Sequence, residues 1–286
     1  MSQRRALVTQ YLDKHEIAIS WLLPAVNLSR NAWYYQSTRT REDDQVMVEQ
    51  IKEVLTKCSY YGYRRVTADL KRQGNHYNHK RILRIMGEYH LIQLRKKRTV
   101  PKTTNSQHQY VVYTNEIKYL DNLIPSTVWV ADITYVPVGT TTWCYVAIVL
   151  DQCTRKVVGW SIATHMRTTL CLEALAMALT KHKPPLFHHS DRGSQYCSHE
   201  YQKQLKKYHI RPSMADVGVS VDNPFAESFN RSLKVEEVYL NVYENISEAR
   251  ASIATYITCY NTTRLHSSLG YVPPLEFEAN YHLGVS

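Results

Sequence analysis

The chain has 286 residues, with 35 Lys plus Arg against 25 Asp plus Glu, and a formal net charge of +10. Hydrophobic residues make up 44% and charged residues 21%, an ordinary globular mix that excludes wholesale disorder. The longest apolar run, Trp143 to Leu150, is too short to span a bilayer, and the N-terminus MSQRRALVTQYLDKHEIAI lacks a signal-peptide apolar region, so a cytoplasmic protein with a polyanionic partner is expected.

Residues 3–23 and 26–36 read as helices interrupted by Pro24, with Ser29 as a cap for the second. The stretch 37–44 reads as a polar linker. Helical spacing of Val46, Val48, Ile51, Val54 and Leu55 predicts a helix over 45–57. Gly62 opens a second helix, Tyr63 to Arg72, with Val66 and Leu70 on one face. After a turn at Gly74 and Asn75, Asn78 caps a third helix running to about Tyr89. Its inward face is Ile82, Ile85, Met86 and Tyr89, and its outward face carries His79, Lys80, Arg81 and Arg84.

The charge is concentrated here. Residues 46–102 hold fourteen basic and four acidic residues, so this short stretch accounts for the whole excess. Three short helices, a glycine-containing turn and a basic last helix fit a helix-turn-helix module that grips DNA. Arg64, Arg65, Lys80, Arg81, Arg84, Arg95, Lys96 and Lys97 are its candidate DNA contacts. Residues 96–126 read as an extended linker.

From residue 127 the pattern changes to strands, over 127–136, 142–150 and 156–163. An amphipathic helix over 168–181 follows, then a short strand over 185–189. Helix 197–208, strand 209–213, helix 223–236 and helix 247–260 complete an α/β domain. The six cysteines form no CxxC pair, so reduced thiols are expected and zinc is not.

Three carboxylates stand in unusual places. Asp132 interrupts the apolar strand TVWVADITYV, Asp191 follows the strand PLFHH, and Glu227 lies on the helix after DNP, with 35 residues between the last two. A carboxylate inside an apolar strand is costly unless it is paired or holds a cation. Carboxylates at strand ends and on an adjacent helix can converge on one edge of an α/β sheet. Such an oxygen set suits hard divalent cations: Mg²⁺ or Mn²⁺, as two ions, for in-line phosphoryl transfer. Each residue alone also has an ordinary structural explanation, an ion pair or a turn.

The stretches WVADITYV (129–136), HSDRGSQY (189–196), DNPFAESFNRSLKVEEV (222–238) and YNTTRLHSSLGYVPPLEFE (260–278) resemble the DDE transposases of bacterial insertion sequences, the OrfB type of the IS-three family. YYGYRRVTADLKRQG (60–74) resembles the helix-turn-helix segment of the same family. The resemblance implies an RNase H-like core of the retroviral-integrase kind, a mixed five-stranded sheet flanked by helices, preceded by a small all-α helix-turn-helix domain. It implies an N-terminal helical segment 1–44, a DNA-binding domain 45–100, a linker 101–125, a catalytic core 126–265 and a C-terminal tail 266–286.

It places catalysis and metal binding on Asp132, Asp191 and Glu227, and puts Lys234 against a DNA phosphate. Asp222 and Asn223 match the residues before the Glu helix, as its cap. His189 matches a position shaping the site, and Arg264 and His266 match a C-terminal motif that serves DNA contact or packing. The implied activity is cleavage of one phosphodiester at the element end, then attack by the freed 3′-hydroxyl on another. Implied partners are double-stranded DNA, a second copy of the chain, and an upstream-frame (OrfA-type) protein, present separately or as a fusion. Three other readings remain open: a DNA-binding regulator with a silent integrase-like domain, an RNase H-type nuclease, and a tyrosine recombinase suggested by the 22 tyrosines.

Overall fold

The computed structural model describes residues 2–15, 17–35, 41–92, 109–120, 124–216 and 223–284. They fall into two compact units, Met1–Gln50 and Ile51–Ser286.

In the first unit α1 (Ser2–Lys14), α2 (Ile19–Ala25) and α3 (Arg30–Tyr34) gather around Val8, Leu23 and Leu28. The single helix expected over 3–23 is therefore two, parted between Lys14 and Ile19. The helix expected over 26–36 shortens to five residues, because Asn27 takes a left-handed φ of 52° that no α-helix accommodates. Ser29 caps α3 by accepting from the Ala32 N–H at 3.2 Å. Pro24 sits inside α2, in its last turn.

Helix α4 (Arg41–Lys57) begins four residues before the expected start. Its buried face is Met47, Val48, Ile51 and Val54, whereas Val46 is exposed. Helices α5 (Tyr63–Arg72) and α6 (His79–Glu88) pack on each other through Val66, Leu70, Ile82, Ile85 and Met86, all fully buried. Asn78 caps α6 through the Lys80 N–H at 2.9 Å. Tyr89 lies just past α6 and is exposed, because the helix has ended and His90 turns into the left-handed region.

Next come β1 (Val128–Val138), β2 (Thr142–Asp151), β3 (Val157–Ala163), α7 (Thr168–Lys181), β4 (Phe187–Ser190), α8 (Ser194–Cys197), α9 (His199–Lys207), β5 (Arg211–Met214), α10 (Pro224–Leu233), α11 (Ile246–Thr262) and α12 (Pro274–His282). The five strands form one mixed sheet in the order β3-β2-β1-β4-β5. β1, β2 and β3 are antiparallel, and β4 and β5 run parallel to β1.

Both faces are covered, which explains the nearly continuous apolar strands. Val128, Val130 and Val136 join Phe229, Ile253 and Tyr260 on one face. Trp129 and Ala131 join Leu170, Leu175 and Tyr201 on the other. Gly159 of β3 lies so close to α7 that an added Cβ would meet the Ala174 carbonyl at 2.2 Å and the Ala178 nitrogen at 2.8 Å.

The segment expected as a C-terminal tail contains α12, which packs on α11 and anchors to β3's approach through Lys156 Nζ and Glu278 Oε2 at 2.6 Å. Pro273 and Pro274 start that helix, since proline is tolerated in a first turn.

Candidate active site

Val130 of β1 and His189 of β4 are register partners. Asp132 and Asp191 each lie two residues further on, so the two chain directions carry both carboxylates to the same end of adjacent parallel strands. Among the described residues β4 pairs with β1 through Val128, Trp129 and Val130 alone. Beyond Ala131 that side of β1 meets no other strand among the described residues, and α10 lies against it.

Two asparagines fasten α10 there. Asn223 donates from Nδ2 to the Ala131 carbonyl at 2.9 Å, and Asn230 donates from Nδ2 to Asp132 Oδ2 at 2.9 Å. Asn223, Glu227 and Asn230 are spaced by four and three residues, so all three share one helix face. Glu227 is thereby presented between two anchor points, on the side of α10 that faces Asp132. Asn223 occupies the expected cap position, but its side chain bonds to β1 and makes no capping bond. Asp222 lies outside the described residues.

The electrostatics agree with this arrangement. Burial, then Asp191, then more weakly Glu227 push the Asp132 carboxyl up to about 7, opposed by bonds from the Ile133 N–H and Asn230. Asp191 Oδ1 accepts from the Gly193 N–H at 3.0 Å, which sets the turn after β4. Glu227 is exposed, and partial burial raises its pKa. Among the described residues no three His, Cys, Asp or Glu side chains stand together as a ready metal cage. The donor set is nevertheless oxygen-only and mutually repulsive, which fits hard divalent cations.

Lys234 is half-buried, with Nζ 3.6 Å from the centre of the Tyr135 ring. Burial lowers its pKa and Asp132 opposes the shift. Tyr135 is buried and meets Trp143 edge-on, with ring centres 5.1 Å apart. After Leu233 the helix widens into a π-turn, Lys234–Val238, which carries Glu236 inward.

There Arg264 donates to Glu236 through Nε and Nη2, both at 2.6 Å, and Tyr256 and Arg65 donate at 3.0 and 3.2 Å. Arg264 is thus packed in the interior. His266 touches it at 3.0 Å, and burial together with Arg264 drives the imidazole down to about 2. A neutral, buried His266 supports packing and offers no charge to a phosphate. His189 is fully buried, its Nδ1 2.9 Å from Ser213 Oγ, beside Asp191 in sequence and away from solvent.

Of the expected DNA contacts, Arg64 and Lys80 are exposed and Arg81 half-buried. Arg64 lies over the Tyr63 ring at 4.8 Å. Arg84 pairs with Glu88 at 2.5 Å. Arg65 departs from expectation: it faces Glu236 because that buried carboxylate needs a second cation. Arg95, Lys96 and Lys97 lie outside the described residues. Asn230, Tyr135 and the Glu236 cluster were missed by sequence reasoning. A polar residue one turn after Glu227 was the available signal for Asn230.

Profiles described as integrase core domain match residues 123–220 and 208–274, and one described as HTH-like domain matches residues 41–99. The chain is 33% identical to transposase InsF for insertion sequence IS3A of Escherichia coli (strain K12), over 94% of this chain and 97% of that protein. It is 34% identical to an uncharacterized 31 kDa protein of insertion element IS600 from Shigella sonnei, over 89% and 96%. The HTLV-2 integrase catalytic core domain in complex with magnesium is similar at 18% identity, with a TM-score of 0.44, over 55% of this chain and 99% of that one.

Proposed function

The chain belongs to the insertion-sequence transposases of the IS3 type, and from that premise we propose that its polynucleotidyl transfer is carried out by Asp132, Asp191 and Glu227. The observation that supports this reading most is Asp132 itself, a strand carboxylate under the influence of both Asp191 and Glu227. It is a DNA transposase with an integrase core and an HTH-like domain. Residues 45–100 serve as the DNA-binding domain, 101–125 as a linker, 126–265 as the catalytic core and 266–286 as its C-terminal extension.

Asp132 and Asp191 hold divalent cations, Mg²⁺ or Mn²⁺ and two in number, and Glu227 completes the set by rotation of its exposed side chain. Bound there, the ions supply positive charge to the attacking and leaving oxygens of an in-line displacement. Asn230 and the Ile133 N–H fix the Asp132 oxygens, so the carboxylate does not reorganise during the reaction. The π-turn and the Tyr135 ring hold Lys234 near Asp132, where its ammonium meets the phosphate of the processed end. His189 ties β4 to β5 through Ser213, Asn223 ties α10 to β1, and His266 packs against Arg264 and Tyr260.

Arg64, Lys80, Arg81 and Arg84 contact DNA phosphates, with Arg95, Lys96 and Lys97 following in the chain. Two element ends are joined in one reaction, so the active form contains at least two copies. An upstream-frame OrfA-type partner or fusion is part of the same proposal. Among the described residues no helix is long and apolar enough to cross a membrane. Incubation with the element's end sequences and Mg²⁺ tests the reading. Nicked and joined products support it. Nicks without joining favour a nuclease, and binding without either favours a regulator.

A further inference from the structure

Beside the carboxylate site, a cleft of about 490 Å³ opens between the helix-turn-helix module and the flank of α10. Tyr60, Tyr63 and Arg65 line one wall, and Ser228, Arg231 and Ser232 line the other. Its size lies within the range of pockets that hold one small ligand, roughly 300–1,000 Å³. Ser228 is the residue after Glu227, and Arg231 is one helical turn beyond it, so the cleft adjoins the scissile position.

The lining selects a ligand class. Aromatic rings stack on a base without regard to its identity; the Tyr63 ring already stacks with His79 at 6.2 Å and lies under Arg64 at 4.8 Å, so a base entering the cleft takes the place of one of these neighbours. The exposed Leu83 and Ile92 extend that wall with apolar surface. Arg231 is exposed, and the buried carboxylate of Glu236 is already matched by Arg264 at 2.6 Å and Arg65 at 3.2 Å. The rim is therefore cationic, and the Ser228 and Ser232 hydroxyls add neutral donors. Base, sugar and phosphate each find a complementary surface.

The wall is also held in place. Tyr61 accepts from the Leu265 N–H at 2.8 Å, Arg72 pairs with Glu276 at 2.6 Å, and Arg65 bridges to Glu236. These bonds fix α5 against the α/β domain, so the cleft does not depend on one loop.

We propose that this cleft binds a single unstacked nucleotide of the DNA strand that flanks the scissile phosphate. The proposal rests on the transposase reading, because only a strand held at Glu227 brings its neighbouring nucleotide to Ser228. Unstacking would splay the strand ends apart at the cleavage point, with the duplex beyond held by the helix-turn-helix module.

Photocrosslinking tests it. The full chain carrying Glu227→Gln is incubated with Mg²⁺ and element-end DNA that bears 4-thiothymidine at the flanking nucleotide. The crosslinked peptide is expected to contain Tyr60–Arg65 or Ser228–Ser232. Tyr63→Ala should lower the yield about tenfold, while Tyr63→Phe keeps it. Crosslinks confined to other peptides, or an unchanged yield in Tyr63→Ala, overturn the cleft assignment. A chain with its native Glu227 that neither cleaves nor joins these ends contradicts the transposase reading instead, and the crosslink position still reports on the cleft.

Discussion

Asn230 donates a 2.9 Å hydrogen bond to Asp132, tying the helix that carries Glu227 to the strand that carries the most perturbed carboxylate of the site. The bond favours the ionised form of Asp132. Replacing Asn230 by Ala should therefore lower cleavage roughly 10- to 100-fold, the loss of a bond to a charged group worth about 1.5–3 kcal/mol. The acid limb of the pH–rate profile should also move to higher pH, while the affinity for end DNA stays the same. An unchanged profile in the variant would leave Asn230 as a packing residue.

The elevated pKa of Asp132 also sets a pH dependence of stability. The folded carboxyl titrates near 7, against 3.8 for an ordinary aspartate, so the folded state holds the proton more tightly than the unfolded chain. The contribution of this group to the stability of the metal-free protein therefore falls as pH rises from about 4 to about 7, by at most about 4 kcal/mol. Asp132→Asn carries no such proton. In urea titrations with chelator it should be more stable than the unaltered chain at pH 8, with the gap closing toward pH 4.

Arg264 and Glu236 form a buried bidentate pair, and removing one partner strands the other in the interior. Arg264→Ala should cost about 3–5 kcal/mol, read as a lower urea midpoint. Removing both partners should recover part of that loss. A variant with full stability and selectively weakened DNA binding would argue instead for an external role.

Gly159 makes a purely steric prediction. A Cβ there would run into the α7 backbone, which cannot yield as a flexible side chain can. Gly159→Ala should destabilise by about 1–3 kcal/mol or more, by separating β3 from α7. Near-UV circular dichroism during thermal unfolding would report the loss of Trp160 and Tyr145 packing.

Much of the molecule could be read from its residues. Gly62 and Asn78 mark the starts of α5 and α6 because their backbone and capping chemistry is local. The spacing of Leu170 and Leu175, both buried, likewise marks α7. Asp132 announced itself as a charge among apolar strand residues. Asn27 and His90 end helices locally through a left-handed φ, but the failures around the site share another cause, dependence on distant partners. Arg65 looks like a surface cation until the π-turn brings Glu236 to it, and for Arg264, where the sequence leaves DNA contact and packing both open, the same carboxylate decides for packing. Asn223 carries the chemistry of a cap, yet β1 offers it a carbonyl at 2.9 Å. Helix α12 is only nine residues long, and its position depends on α11 and Lys156.

The central claim is that Asp132, Asp191 and Glu227 act as one catalytic unit. Its most direct test is a strand-transfer assay on the element's own end DNA with Mg²⁺, comparing the unaltered chain with Asp132→Asn, Asp191→Asn and Glu227→Gln. Each substitution is predicted to abolish both cleavage and joining while gel-shift affinity for the ends is retained. Cleavage at the unaltered rate by any one of the three would contradict the assignment.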